Sequence, residues 1–258
     1  MSLQQDSSPL IWNLRPELAP SNNGTVVFFP HAGGSAAVFQ QWCTSLDPHI
    51  VAYAMQYPGR GPRIGESPPE TLDEIAFSSA DFLSTLKGPV VVVGHSLGAV
   101  LSFDALTRYE PPPSELLAFV ASSSRGPFAE PIFGGPESVP SGEELSGLMR
   151  SWGGLPQEIS DHPELVDVLL SPVQSDLKIL EQRLVSSRQM LQDKIELTCP
   201  VRVFYGSDDP IVSEDDARAW SLSTTSKDVT VTRFSGGHFH SERDIRRITD
   251  TVNDLLKC

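Results

Sequence analysis

Val90-Val91-Val92-Val93-Gly94-His95-Ser96-Leu97-Gly98 decides how this chain is read. Four consecutive β-branched residues read as a strand buried on both faces, and G-x-S-x-G follows at once. Ala99 to Arg108 then continue with helical periodicity. The glycines permit a reversal too tight for larger residues, so Ser96 is expected on a strained strand-to-helix turn with its hydroxyl projecting from the sheet edge. The N–H of Leu97, at the start of the helix, would point toward developing negative charge. Alone, G-x-S-x-G is a short pattern that arises in any glycine-rich loop; the flanking strand and helix give this one its meaning.

Outward from this turn, strand and helix signals alternate. Thr25 to Phe29, Ile50 to Met55, Val90 to Val93, Leu116 to Ala121, Val201 to Tyr205 and Val229 to Phe234 read as strands. Helical spacing runs through Ala36 to Ser45, Thr71 to Leu86 and Ser241 to Leu256. This order predicts an α/β fold whose mostly parallel central sheet is flanked by helices, with functional groups at the C-terminal ends of the strands. The 258 residues suffice for one such domain with an elaboration.

The elaboration lies between about 124 and 198, where no strand pattern occurs. Gly126 to Gly142 is rich in glycine and proline, and helical pieces follow at Glu143 to Arg150, Pro163 to Leu170 and Val173 to Met190. The segment reads as a helical lid over the edge from which Ser96 emerges. Met149, Trp152, Leu155, Val166, Leu169, Val173, Leu177 and Leu180 are candidates for an apolar acyl pocket beneath it, or else form the lid's own packing.

A serine hydroxyl needs a base to take its proton and an acid to orient that base. The turn Gly206-Ser207-Asp208-Asp209 follows one strand, and Ser235-Gly236-Gly237-His238-Phe239-His240 follows the next. Serine, then acid, then histidine is the chain order of α/β-hydrolases. His238 is the expected base ahead of His31, His49, His95, His162 and His240, and Asp209 the expected acid ahead of Asp208. A metal pair of His238 and His240 lacks further ligands nearby. Pro30-His31-Ala32-Gly33-Gly34-Ser35, after the first apolar strand, suits the second oxyanion donor, with the Ala32 N–H the best-placed group. The alternative for its glycines is a tight turn into the next helix.

These motifs occur together with Phe39 and Trp42, Tyr57-Pro58-Gly59-Arg60-Gly61 with Arg63, Gly153-Gly154-Leu155-Pro156 and Cys199-Pro200-Val201. In combination they resemble the type II thioesterases, the stand-alone editing enzymes that accompany nonribosomal peptide and polyketide synthases. The resemblance spans Val26 to the final helix. It implies an α/β-hydrolase fold with a helical lid, a triad of Ser96, Asp209 and His238, and an oxyanion hole of the Ala32 and Leu97 N–H groups. It also implies hydrolysis of acyl groups from the phosphopantetheine arm of acyl or peptidyl carrier proteins, with no cofactor or metal of the enzyme's own. Two departures are visible. Leu170-Ser171-Pro172-Val173-Gln174-Ser175-Asp176 follows the family's L-P-x-L-R-A-D pattern loosely, and Phe103-Asp104 stands where Phe-Glu is usual.

Composition limits the partners. A formal net charge of −14 disfavours nucleic acid and anionic membranes. The polar, proline-bearing start from Met1 to Pro20 has no signal-peptide or membrane-span pattern, which predicts a cytoplasmic protein. Cys43, Cys199 and Cys258 are too few and too scattered for a disulfide framework. The chain is expected to act as a monomer and in trans. Acidic carrier proteins would be repelled at long range, so docking calls for a local patch, and Arg60, Arg63 and Arg125 are candidates unless they are bound internally. Two other readings fit the residues: an acyl-CoA thioesterase or carboxylic-ester hydrolase on the same fold, and a non-catalytic binding protein that retains the fold.

Overall fold

Val90, Val91, Val92 and Val93 are all 0% exposed, and they bury alternately into two separate apolar clusters, 90 and 92 on one side and 91 and 93 on the other. A strand can do this only in the middle of a sheet covered on both faces. The computed structural model, which describes residues 10–18, 24–155 and 163–257, shows that sheet. It comprises β1 (Ile11–Asn13), β2 (Thr25–Phe29), β3 (Val51–Met55), β4 (Pro89–His95), β5 (Glu115–Ser122), β6 (Val201–Gly206) and β7 (Val229–Phe234). Their spatial order is β1-β3-β2-β4-β5-β6-β7. All neighbours are parallel except β1, which runs antiparallel to β3 with Ile11 opposite Met55.

The principal helices are α1 (Leu72–Thr85), α2 (Leu97–Thr107), α3 (Gly142–Trp152), α4 (Pro163–Val185) and α5 (Glu242–Leu256). Helix α1 starts at Thr71, whose hydroxyl accepts the N–H of Glu74, and turns Leu72, Ile75, Ala76, Ala80 and Leu83 to the sheet. With α2 it covers one face. Helix α5 presents Ile245, Ile248, Val252 and Leu256 to the other, beside Phe39 and Trp42 from the helical segment that follows the β2 loop. This is the mostly parallel α/β-hydrolase arrangement expected above, with β1 added. Burial lifts the thiols of Cys43 and Cys199 to about 11, so both remain protonated and unreactive.

The described part of the segment between β5 and β6 has helices and no strand, but their division differs from the expected one. Instead of a break at Ser171-Pro172, α4 runs continuously for 23 residues through Pro172. The apolar stripe holds it together: Leu170, Val173 and Leu177 pack into a cluster with Leu145 and Met149, while Ile179, Leu180 and Leu184 join the main core. Gln174, standing where the family's arginine is usual, donates to the carbonyl of Pro140 at 3.1 Å. The chain breaks at Ser186 before a short helix, Ser187–Gln192. Pro156, His162 and Cys258 lie outside the described residues.

Charges on the buried stripe of α4 anchor it. Arg183 meets Asp104 of α2 through two hydrogen bonds of 2.8 and 2.7 Å, with both side chains almost fully buried. The residue that departs from the usual Phe-Glu is therefore an ion-pair partner of the insertion. Glu181, 0% exposed, accepts the N–H groups of Ile132, Phe133 and Gly135 and shapes the glycine-rich stretch. Removing one member of a buried pair strands the other without compensation. Asp104→Ala is therefore expected to lower stability by about 3–5 kcal/mol in urea unfolding, and a loss below about 1 kcal/mol would contradict this account of the anchor.

Candidate active site

Three sheet-end loops converge because their backbones pack without intervening side chains. A Cβ on Gly98 would lie 2.1 Å from the carbonyl oxygen of Phe29, and one on Gly94 would lie 2.3 Å from the Cα of Ala99. These absences let the start of α2 close down on β2 and β4. Ser96 occupies the resulting turn at φ 55°, ψ −122°, a conformation L-residues rarely adopt, and its N–H is held by the carbonyl of Ser122 at 2.8 Å. The turns after β6 and β7 meet in the same way, since a Cβ on Gly206 would fall 2.2 Å from the carbonyl oxygen of Gly237. The N–H groups of Ser207 and Asp208 donate to the carbonyls of Phe234 and Gly236, each at 2.8 Å.

On this frame the expected residues come together. His238 Nε2 lies 3.0 Å from Ser96 Oγ, and His238 Nδ1 lies 2.9 Å from Asp209 Oδ2. Asp209 keeps its other oxygen engaged with the N–H groups of Ile211 at 2.8 Å and Val212 at 3.2 Å. Its side chain is fully buried, and that of His238 is nearly so. Asp208 points elsewhere, accepting from its neighbour Ser207 on the surface. Leu97 is the first residue of α2, where backbone N–H groups have no partner within the helix. Phe29 pairs with Gly94, which brings the loop of Ala32 alongside the serine turn. In that loop the Gly33 N–H donates to Asp176 at 2.7 Å and the Gly34 N–H to the His31 carbonyl at 2.9 Å.

The other histidines nearby belong to the setting. His95, the variable residue of the elbow, and His240 both bond the hydroxyl of Ser122, at 3.0 and 2.6 Å. His31 and His95 stack edge-on, and the Phe239 ring lies against His31, His95 and His238. Gly154 makes room for that ring, because a Cβ there would come within 2.8 Å of it. Burial, reinforced by the neighbouring His238, pushes His31 down to about 3; burial, partly opposed by the Asp244 carboxylate, pushes His240 down to about 4, and burial holds His95 well below its ordinary value. His49 is exposed and apart from the site.

A narrow cavity of about 20 Å³ opens at Ser96, bounded by Leu97, Val100, Ile132, Leu180, Leu184 and Ile211. Of the apolar residues expected to line an acyl pocket, Leu180 alone does so. Met149, Leu155, Val166, Val173 and Leu177 pack with one another, Trp152 rests against that cluster, and Leu169 is exposed. The arginines offered as a docking patch are likewise bound internally. Arg60 is buried against Asp176, Arg63 chelates Glu66 and donates to the Gln56 carbonyl, and Arg125 pairs with Asp216 and the Glu130 carbonyl. Asp176 and Glu181 were not singled out from sequence for their contacts. Their signal was present: both are acidic side chains at the buried positions of the α4 stripe, next to Leu177 and Leu180.

A parallel sheet with a serine at its elbow, bonded through a histidine to a buried carboxylate, defines a protein of the α/β-hydrolase class. Within that class, the profile of the thioesterase domain matches residues 24–256, and the chain belongs to the thioesterase family as a hydrolase of thioesters. It is 29% identical over 254 residues to thioesterase PikA5 of Streptomyces venezuelae, an alignment covering 95% of this chain and 85% of that protein. Thioesterase TesA of Mycobacterium marinum is 26% identical over 231 residues, covering 88% of this chain and 89% of the relative. Among solved structures, the type II thioesterase BorB from the borrelidin biosynthetic cluster superposes with a TM-score of 0.75 at 28% identity, covering 98% of this chain and all of BorB. Among the described residues, no helix is long and apolar enough to cross a membrane.

The neutral histidines give the site a stability signature. Unfolded, these rings titrate near 6.5; folded, His31 and His240 bind protons only near 3 and 4. The unfolded chain thus holds more protons between those values, and their contribution to stability, complete above 6.5, is lost as pH falls toward the folded values. The urea midpoint is expected to drop between neutral pH and about pH 4.5, and His240→Gln to lessen the drop. An unchanged pH dependence in that variant would contradict the assignment.

Proposed function

We propose that the chain is a type II thioesterase that removes acyl groups from the phosphopantetheine arm of carrier proteins, in trans and in the cytoplasm. Ser96 is the nucleophile, His238 the general base and acid, and Asp209 the residue that holds the imidazole in the useful tautomer. The Leu97 and Ala32 N–H groups form the oxyanion hole. The unbroken hydrogen-bond chain Ser96–His238–Asp209 carries this reading. The loop contacts support Ala32, since Gly33 and Gly34 have their N–H groups committed elsewhere. Similarity to PikA5 and to the type II thioesterase BorB along nearly the whole chain supports the substrate class. The segment from about 124 to 198 acts as the lid of a single domain.

In the reaction, His238 accepts the Ser96 proton as Oγ attacks the thioester carbonyl. The tetrahedral oxyanion is stabilised by the two N–H donors, and its collapse expels the pantetheine thiol, to which His238 returns the proton. Water then attacks the acyl-serine with the same histidine as base, releasing the carboxylic acid and restoring Ser96. A thiolate departs more readily than an amine, so leaving-group protonation is less demanding than in a protease. The chain's own side chains and water complete this cycle without a cofactor.

The decisive comparison is turnover of one acyl group presented on a carrier protein, on coenzyme A and on p-nitrophenol. The carrier thioester is expected to show the highest kcat/KM, and Ser96→Ala to lower it by at least about 10³-fold. Equal rates on all three would refute the carrier assignment. Leu180 and Ile132 face each other across the cavity at Ser96, on the path an acyl chain bound to the serine would take. Leu180→Ala is expected to move preference toward longer chains in an acyl-length series on the carrier. An unchanged ranking would show that the acyl chain runs elsewhere.

A further inference from the structure

The loop that carries Ala32 is fastened at three points. At its start, the Tyr57 hydroxyl donates to the carbonyl of Pro30 at 3.1 Å. At its end, the N–H of Ala36 donates to Gln56 Oε1 at 3.0 Å, and the amide of Gln56 donates onward to the Arg60 carbonyl at 2.9 Å. In the middle, the Gly33 N–H donates to Asp176 Oδ2 at 2.7 Å. The first two ties come from the strand and loop next door. The third comes from the insertion, 143 residues away in sequence.

Asp176 is 0% exposed and Arg60 4%. The guanidinium grips both carboxylate oxygens, one of them through Nη2 at 2.8 Å, and its Nε donates to the carbonyl of Pro58 at 3.1 Å. One turn earlier on α4, Val173 lies against Gly33, where a Cβ would come within 2.3 Å of its methyl group. Gly33 itself has φ +76°, a conformation that suits glycine. Thus α4 presses a methyl group and a charge-clamped carboxylate onto the peptide that follows Ala32.

We infer that Asp176, held by Arg60, is a positioning residue for the oxyanion hole. By accepting the Gly33 N–H it fixes the Ala32–Gly33 peptide; with the Gly34 N–H bonded to the His31 carbonyl in the same turn, this constrains the adjoining His31–Ala32 peptide, which carries the Ala32 N–H. The seating of α4 on the core is thereby coupled to the competence of the serine site. This inference rests on the assignment of Ala32 as an oxyanion donor. It also accounts for a buried charge pair, an arrangement that apolar side chains can often replace without loss of stability, because only an acceptor can hold the Gly33 N–H.

Two double variants isolate that acceptor. Arg60→Met with Asp176→Leu removes the ion pair and the acceptor together; Arg60→Met with Asp176→Asn removes the ion pair and keeps an oxygen for Gly33. Apolar replacement of a complete buried pair is commonly tolerated, so the leucine variant is expected to stay folded by circular dichroism and thermal melting. Its kcat should fall about 10- to 100-fold with KM within about twofold, and a trifluoromethyl ketone that forms a tetrahedral adduct on Ser96 should weaken in parallel. The asparagine variant should recover most of the loss. Equal activity in the two double variants, or a loss confined to KM, would overturn the inference.

The Arg60→Met, Asp176→Asn double variant measured against wild type carries the comparison should the leucine variant fail to fold. It is expected to stay within about tenfold of wild-type kcat, and a larger loss would place the effect in the Arg60 charge and overturn the inference. Adduct formation with the trifluoromethyl ketone needs no carrier substrate. If the wild type reacted with the ketone but left acyl-carrier thioesters intact, the functional reading would fail while the ketone affinities still decided the role of Asp176.

Discussion

The contact between Gly98 and the carbonyl of Phe29 is the constraint on which the site depends. With a 2.1 Å gap where a Cβ would stand, the first turn of α2 can lie directly on the end of β2 only if residue 98 has no side chain. That approach forces Ser96 into its strained conformation and sets it beside the Ala32 loop. It also places Leu97, directly after the serine, in the first turn of α2, where backbone N–H groups have no partner within the helix. The same device recurs where Gly206 meets Gly237, so the carboxylate and the histidine are registered by backbone contact. Loops located this way need little reorganisation when charge develops on a reacting carbonyl, which is the condition for electrostatic stabilisation to be effective.

Around this frame, buried charge ties the insertion to the core. Arg183 with Asp104, Glu181 with three backbone N–H groups, and Asp176 with Arg60 and Gly33 all lie on the inward side of α4. Each buried ion is fully engaged, which is what makes its burial tolerable. Apolar packing alone would let α4 slide or rotate at modest cost. Directional bonds at three successive levels of the helix specify one seating, over the cavity at Ser96.

The parts of this architecture that were legible from sequence are those with a local signature. The β-branched runs, the elbow glycines and the order of Ser96, Asp209 and His238 each follow from a few adjacent residues. Of the two candidate acids, Asp209 hydrogen-bonds His238 and Asp208 faces solvent. What escaped depended on distant partners. Strand β1 is three residues long, has no alternation to detect, and exists only through pairing with β3. Helix α4 continues through Pro172 because apolar contacts on both sides of it outweigh the missing hydrogen bond. Apolar spacing could not tell residues that line the Ser96 cavity from residues that pack among themselves, and Leu180 alone among the candidates reaches it. Nor does an arginine in a glycine-rich loop announce whether it faces solvent or, like Arg60, a carboxylate 116 residues away.

The central claim is that the elbow makes Ser96 a nucleophile that carries the acyl group during turnover. Rapid quenching of the enzyme with acyl-loaded carrier protein, followed by intact mass and peptide mapping, tests it most directly. The account predicts a transient mass increase equal to the acyl group, located on Ser96 and absent in Ser96→Ala. Turnover with no acyl-enzyme at any time, or an adduct on another residue, would contradict it.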